Sequence, residues 1–165
     1  MRTFVVMVLG TIVGLVLQST ALQAVRIDAA VPDLLLVLCV YLGLRHHTVG
    51  GALGAFLLGY AQDSVSGGAV GLNAFAMCLA FLLVYLTSRR LWVDNLLSKV
   101  VVVLLASVVK ITAVTVLLVI FIAPEQAWGA TAGSLVLQAV LTAALGPPVL
   151  AILVSTEPTE EEEAE

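Results

Sequence analysis

The chain has 165 residues, of which 61% are hydrophobic and only 11% charged, and its mean hydropathy is +1.15. A soluble domain carries about 25% charged residues, so too few charges are present to build a water-facing surface. This excludes a soluble enzyme, a nucleic-acid-binding domain and a disulfide scaffold, and it leaves an all-α integral membrane protein. The formal net charge of −4 misleads, because six of the eleven acids are Glu157, Glu160, Glu161, Glu162, Glu163 and Glu165.

A helix needs about 20 apolar residues to cross a bilayer core. Six apolar runs occur, giving spans at about 4–25, 31–44, 48–62, 70–87, 97–122 and 129–154. They form one six-helix transmembrane domain over 1–154, and 155–165 reads as a disordered acidic cytoplasmic tail, since a run of like charge repels itself. The first run is read as a span rather than a signal peptide, because Arg2 is a weak basic lead and five more runs follow. Arg2, Arg45, Arg89, Arg90 and Lys99 fall on one side of this topology and only Arg26 on the other. The positive-inside rule then places both termini in the cytoplasm. Trp92 and Trp128 bracket the fifth span as interfacial anchors, and Pro147-Pro148 predicts a kink in the sixth.

The second span opens at Pro32-Asp33. Proline suits a first helical turn, and aspartate there caps free N–H groups. In the third span Gly51, Ala55 and Gly59 are four apart and share one face, which Gly50 and Gly54 widen. Such a stripe lets helix backbones approach closely, either within the chain or against a partner's helix. The same step lands on Asp63, at a helix end whose dipole disfavours a negative charge. It either bonds the N–H groups of its own loop or belongs to a packed polar or partner site. Asp33 lies fifteen residues before Thr48 and Asp63 fifteen after it. An antiparallel hairpin about that turn brings both carboxylates to one depth, with Asn73 near the same level. Lys110 sits inside the fifth span, where a charge needs a partner. Gln138 or a backbone carbonyl is a partner within the chain, and another subunit or a ligand is the other reading.

His46 and His47 read as a plain polar turn, Gly10 and Gly14 as a weak packing pair, and Cys39 and Cys78 as buried thiols. No metal spacing, nucleophile–base pair or phosphate loop is present, so neither enzyme nor cofactor is expected.

Pro32-Asp33-Leu34-Leu35-Leu36-Val37, the third span ending Gly59-Tyr60-Ala61-Gln62-Asp63, then Ser66-Gly67-Gly68 and Gly71-Leu72-Asn73-Ala74 resemble the rod shape-determining protein MreD family. The specific part of the resemblance is confined to residues 32–74. It implies a bacterial inner-membrane, non-enzymatic subunit of the machinery that lays down lateral peptidoglycan. Its partner would be MreC, through that protein's transmembrane helix and membrane-proximal region. A larger assembly with RodA, a class B penicillin-binding protein and MreB is implied, as is contact with membrane lipid. The fold implied is similar to the S components of energy-coupling factor transporters. That supplies a rival: a substrate-binding subunit for a vitamin or metal, with Asp33, Asp63 and Asn73 lining its pocket.

Overall fold

The computed structural model describes residues 2–18, 32–45, 48–66, 71–88, 95–121 and 132–155. Six helices occupy them, and among these residues there is no strand. They are α1 (Arg2–Val16), α2 (Leu34–Arg45), α3 (Val49–Ser66), α4 (Leu72–Ser88), α5 (Leu96–Phe121) and α6 (Ala132–Ser155). The histidine pair, Arg26, Arg89, Arg90, Trp92, Trp128 and the acidic tail lie outside the described residues.

The hub is α2. Every residue from Leu35 to Gly43 is buried, and the helix touches all five others. Its sequence, LLLVLCVYLGLR, has no polar face before its last residue, so every side of it can pack against apolar neighbours. The other helices are arranged around it, with α3 against α4, α4 against α5 and α5 against α6. Two of them, α5 over Leu97–Ile120 and α6 over Val136–Leu153, are long and apolar enough to cross a membrane. Much of their surface is outward and still apolar, including Val101, Leu105, Val108, Val119 and Ile120 on α5, and Val136, Val140 and Ile152 on α6. On α3, Leu53, Phe56, Leu57 and Tyr60 also point outward. Exposed apolar surface of this extent calls for a non-aqueous surrounding.

The ends of the helices follow local chemistry. Asp33 precedes α2 as its cap: its Oδ1 accepts from the Leu36 N–H at 3.1 Å. Asn95 precedes α5, its carbonyl accepting from the Lys99 N–H at 3.2 Å. The third helix ends one turn later than the 48–62 expected. Asp63 lies inside it, and the Ser64 and Ser66 hydroxyls donate to the Tyr60 and Asp63 carbonyls of that last turn. The sixth helix runs through Pro147 and Pro148, each of which removes a backbone donor. Just before them Gly146 meets Val103 of α5, whose Cγ2 would stand 2.9 Å from an added Cβ.

The small-residue stripe faces inward. Gly51, Ala55 and Gly59 are buried together with Leu58. At Gly59 the space is closed by α4: an added Cβ would stand 2.5 Å from the Asn73 carbonyl oxygen and 2.7 Å from the Ala74 nitrogen, with the Ala74 Cα closer still. These are backbone atoms, which cannot rotate away. Gly50 is exposed and Gly54 meets only the end of the Leu42 side chain, so neither is a crossing point of this kind.

This contact predicts an asymmetry between two glycines of one helix. Gly59→Ala should destabilise the protein by about 1–3 kcal/mol, the usual cost of overpacking. Gly50→Ala, whose Cβ meets nothing closer than the Thr48 hydroxyl at 3.6 Å, should be neutral or slightly stabilising. Thermal unfolding of the two variants in one detergent compares them directly.

Candidate functional site

Two buried carboxylates stand at the end of the bundle where α3 finishes and α4 begins. Their partners differ in kind.

Asp63, 2% exposed, is held by the start of α4. Its Oδ2 accepts from the backbone N–H groups of Gly71 at 2.8 Å and Ala74 at 3.2 Å. Its Oδ1 accepts from the backbone N–H of Asn73 at 3.1 Å and from the Asn73 side-chain amide at 2.9 Å. Gly71 has φ +103°, a left-handed conformation that a side chain rarely adopts. The dipole of Asp63's own helix is unfavourable, but the carboxylate fills the N-terminal end of the next one, where a negative charge is favoured. The N–H groups that hold Asp63 thus belong to Gly71, Asn73 and Ala74 at the start of α4.

Asp33, 5% exposed, is held by a charge. Its Oδ2 forms an ion pair with the Lys110 ammonium. Its Oδ1 accepts from Leu36 N–H and from the Gln18 side-chain amide, each at 3.1 Å. Its own N–H donates to the Thr142 hydroxyl at 3.0 Å, and that hydroxyl donates to the Gln138 carbonyl at 2.8 Å. Lys110 also donates to Gln62 Oε1 at 2.7 Å. One ion pair therefore joins the segment after α1, the start of α2, the end of α3, the middle of α5 and α6.

The partner of Lys110 corrects the expectation from sequence. Among the described residues Asp33 and Gln62 hold it, whereas Gln138 and a backbone carbonyl do not. The reason is length. The twelve residues of α2 rise about 18 Å, less than a bilayer core. Lys110 is fourteen residues into α5, or about 21 Å from its start. A helix end and a mid-helix position are thus level, because α2 is short and lies antiparallel to α5. The other polar members, Gln18, Gln62 and Thr142, were not singled out by the sequence. Each is a lone polar residue in or beside an apolar run, and that was the available signal.

Gln62 joins the two clusters through the chain, being next to Asp63. Above the ion pair lies a cavity of about 230 Å³. Asp33, Gln62, Asn73, Lys110, Gln138 and Thr142 provide most of its polar lining, together with Ser107 and Thr115. Leu36, Ile111, Val114 and Leu118 provide much of the apolar part. Asp33, Asn73 and Lys110 thus share one cavity, with Asp63 bonded just behind Asn73. Gly51, Ala55 and Gly59 are not part of it. Among the described residues no three His, Cys, Asp or Glu side chains stand close enough to hold a metal ion.

A family model described as rod shape-determining protein MreD matches residues 1–155. This covers nearly the whole chain, and the chain belongs to the MreD family. No curated protein and no solved structure matches it. Membership gives the protein a role in determining rod shape.

The ion pair can be tested as a pair. Lys110→Met leaves a buried carboxylate uncompensated and should cost about 3–5 kcal/mol. Asp33→Asn keeps a capping oxygen while removing the charge. The double variant Asp33→Asn/Lys110→Met should therefore be more stable than Lys110→Met alone. A double-mutant cycle on unfolding midpoints in detergent measures the coupling, and additive losses would contradict a shared ion pair.

Proposed function

We propose that this MreD-family chain is a non-enzymatic scaffold subunit of the bacterial cell-elongation machinery, with MreC as its direct partner. The match of the family over residues 1–155 carries the reading. In it the six helices form one multi-pass domain over 1–154 in the inner membrane, both termini are cytoplasmic and the acidic tail 155–165 is solvated. The outward apolar faces of α3, α5 and α6 support a lipid surrounding.

The mechanism is positional. MreC's transmembrane helix docks in a lipid-buried groove, and MreC's place beside the membrane, and with it that of RodA, the penicillin-binding protein and MreB, follows from that contact. The stripe of Gly51, Ala55 and Gly59 contributes from within. By fixing α3 against α4 it braces a wall and does not itself form the docking surface. Asp63 fixes the turn between the same two helices, and the Asp33–Lys110 pair fixes α2 against α5. A scaffold needs such rigidity, since a partner held at a wandering angle is not positioned.

The second reading, a transporter subunit resembling an S component, is favoured by one observation: the cavity lined by Asp33, Asn73 and Lys110. Its metal-binding form lacks a donor set among the described residues. A pull-down separates the two. The tagged chain, extracted from native membranes in mild detergent, should bring down MreC, with or without RodA and the penicillin-binding protein. Recovery of an ATPase pair with its membrane coupling subunit would replace the scaffold reading by the transporter one.

The role of Asp63 in that scaffold is positional too. Asp63→Asn substitutes an amide N–H₂ for one of two acceptor oxygens, facing N–H groups it cannot accept from. Loss of those bonds should cost about 1–3 kcal/mol. Rod shape in cells carrying this variant should then follow the amount of folded protein and return when its expression is raised. Misshapen cells at wild-type protein levels would assign Asp63 a direct partner contact instead.

A further inference from the structure

The cavity above the ion pair has polar groups without a full set of partners among the described residues. The Lys110 ammonium has three N–H donors, and Asp33 and Gln62 take two of them. The N–H₂ of Gln62 and the side-chain amide of Gln138 have no partner among the described residues, although both side chains line the cavity. Lys110 is only 6% exposed, so its third donor has little access to bulk solvent. Lys110 is the buried donor of the three, and Gln62 and Gln138 are half-buried. A buried donor without an acceptor costs free energy, so the space favours an oxygen-rich guest.

Charge decides what kind of guest. Lys110 is already neutralised by Asp33, and Asp63 adds a negative charge at the same end. An anion would gain little there. A cation would find no free carboxylate: the Asp33 oxygens accept from Lys110, Gln18 and Leu36, and those of Asp63 from four N–H donors. An uncharged guest remains. Its size follows from the space. A cavity of 150 Å³ takes benzene, so about 230 Å³ takes roughly nine heavy atoms. Its shape is set by α5, whose lining residues Ser107, Ile111, Val114 and Leu118 follow one another at helical spacing over eleven residues, or about 16 Å. Ser107 and Lys110 stand toward one end of this wall, and aliphatic side chains line most of the rest, with Thr115 as a further polar group between Val114 and Leu118.

We propose that this cavity is a binding site for an uncharged polyol group, held through its oxygens by Lys110, Gln62 and Gln138 and flanked by Ile111, Val114 and Leu118. The group belongs either to a free solute such as glycerol or to the head of an uncharged lipid such as a monoacylglycerol. The site is independent of what the chain docks to.

Two probes on the full chain test this. Glycerol binding is read by saturation-transfer NMR on the protein in phosphatidylcholine nanodiscs. Monoolein binding is read by native mass spectrometry after reconstitution into phosphatidylcholine vesicles containing monoolein. At least one probe should bind the wild type. Binding should persist in Val116→Phe, which alters an outward residue of the same helix. It should vanish in Val114→Phe, which fills the cavity, and weaken roughly two- to tenfold in Gln138→Leu, the loss of one hydrogen bond. Binding by glycerol identifies a free solute, and binding by monoolein alone identifies a lipid head. Failure of both probes overturns the proposal, as does binding that survives Val114→Phe. If Val114→Phe does not fold, Gln138→Leu decides, and unchanged binding there overturns it. Because no partner is present, failure here leaves the scaffold reading standing, and a pull-down without MreC leaves this site standing.

Discussion

A lysine and an aspartate buried among hydrocarbon side chains cannot be separated without leaving a bare charge in a medium of low polarity, where each is costly alone. In this protein that constraint joins Asp33 at the start of α2 to Lys110 in the middle of α5. Everything at that end of the bundle is arranged around the pair. Thr142 of α6 accepts the N–H of Asp33, Gln18 donates to its carboxylate, and Gln62 of α3 accepts from the lysine. Burial of α2 on all sides becomes possible because its polar start ends on partners supplied by the helices around it. Without them a twelve-residue helix would end inside the bundle with unsatisfied N–H groups.

The other buried carboxylate illustrates a different solution to the same cost. Among the described residues Asp63 has no lysine or arginine bonded to it, and it is held by four N–H donors at the start of α4. Such an arrangement works only if α3 and α4 come very close. Gly59, one turn earlier, allows that approach, since α4's backbone occupies the place where a side chain would begin. The glycine and the aspartate are therefore one device: the first sets the distance between the two helices and the second satisfies the backbone that the distance exposes. With Gln62 bonded to Lys110 and Asp63 bonded to α4, two successive residues of α3 tie it to both sides of the bundle.

These ties suit a family whose role is the determination of shape. In the proposed scaffold role the protein would act through its own fixed geometry, and interlocked polar contacts inside an apolar bundle give directionality that aliphatic packing alone lacks. The same polar end lines a cavity whose donors the described residues do not saturate. Rigidity and a binding site are compatible here, because the groups that hold the helices are distinct in part from those that face the space: Gln138 lines the cavity through its side chain and supports Thr142 through its carbonyl.

Composition alone marks the chain as suited to lipid, since so few charged residues cannot cover a surface in water, and the length of its apolar runs marks it as helical. The six apolar runs correspond to the six helices among the described residues, because hydrophobic length is a local property. Local chemistry likewise exposes Asp33 as a cap, the small-residue stripe as one face, and Asp63 and Lys110 as charges in need of partners. Which partner each charge takes is not local. It depends on α2 being shorter than its neighbours and enclosed by them, which brings a helix start level with the middle of α5. Gln18, Gln62 and Thr142 acquire meaning only when helices distant in sequence pack side by side. The burial of the stripe against α4 is likewise a property of the assembled bundle, because a face of small residues fits any close neighbour until the fold supplies one.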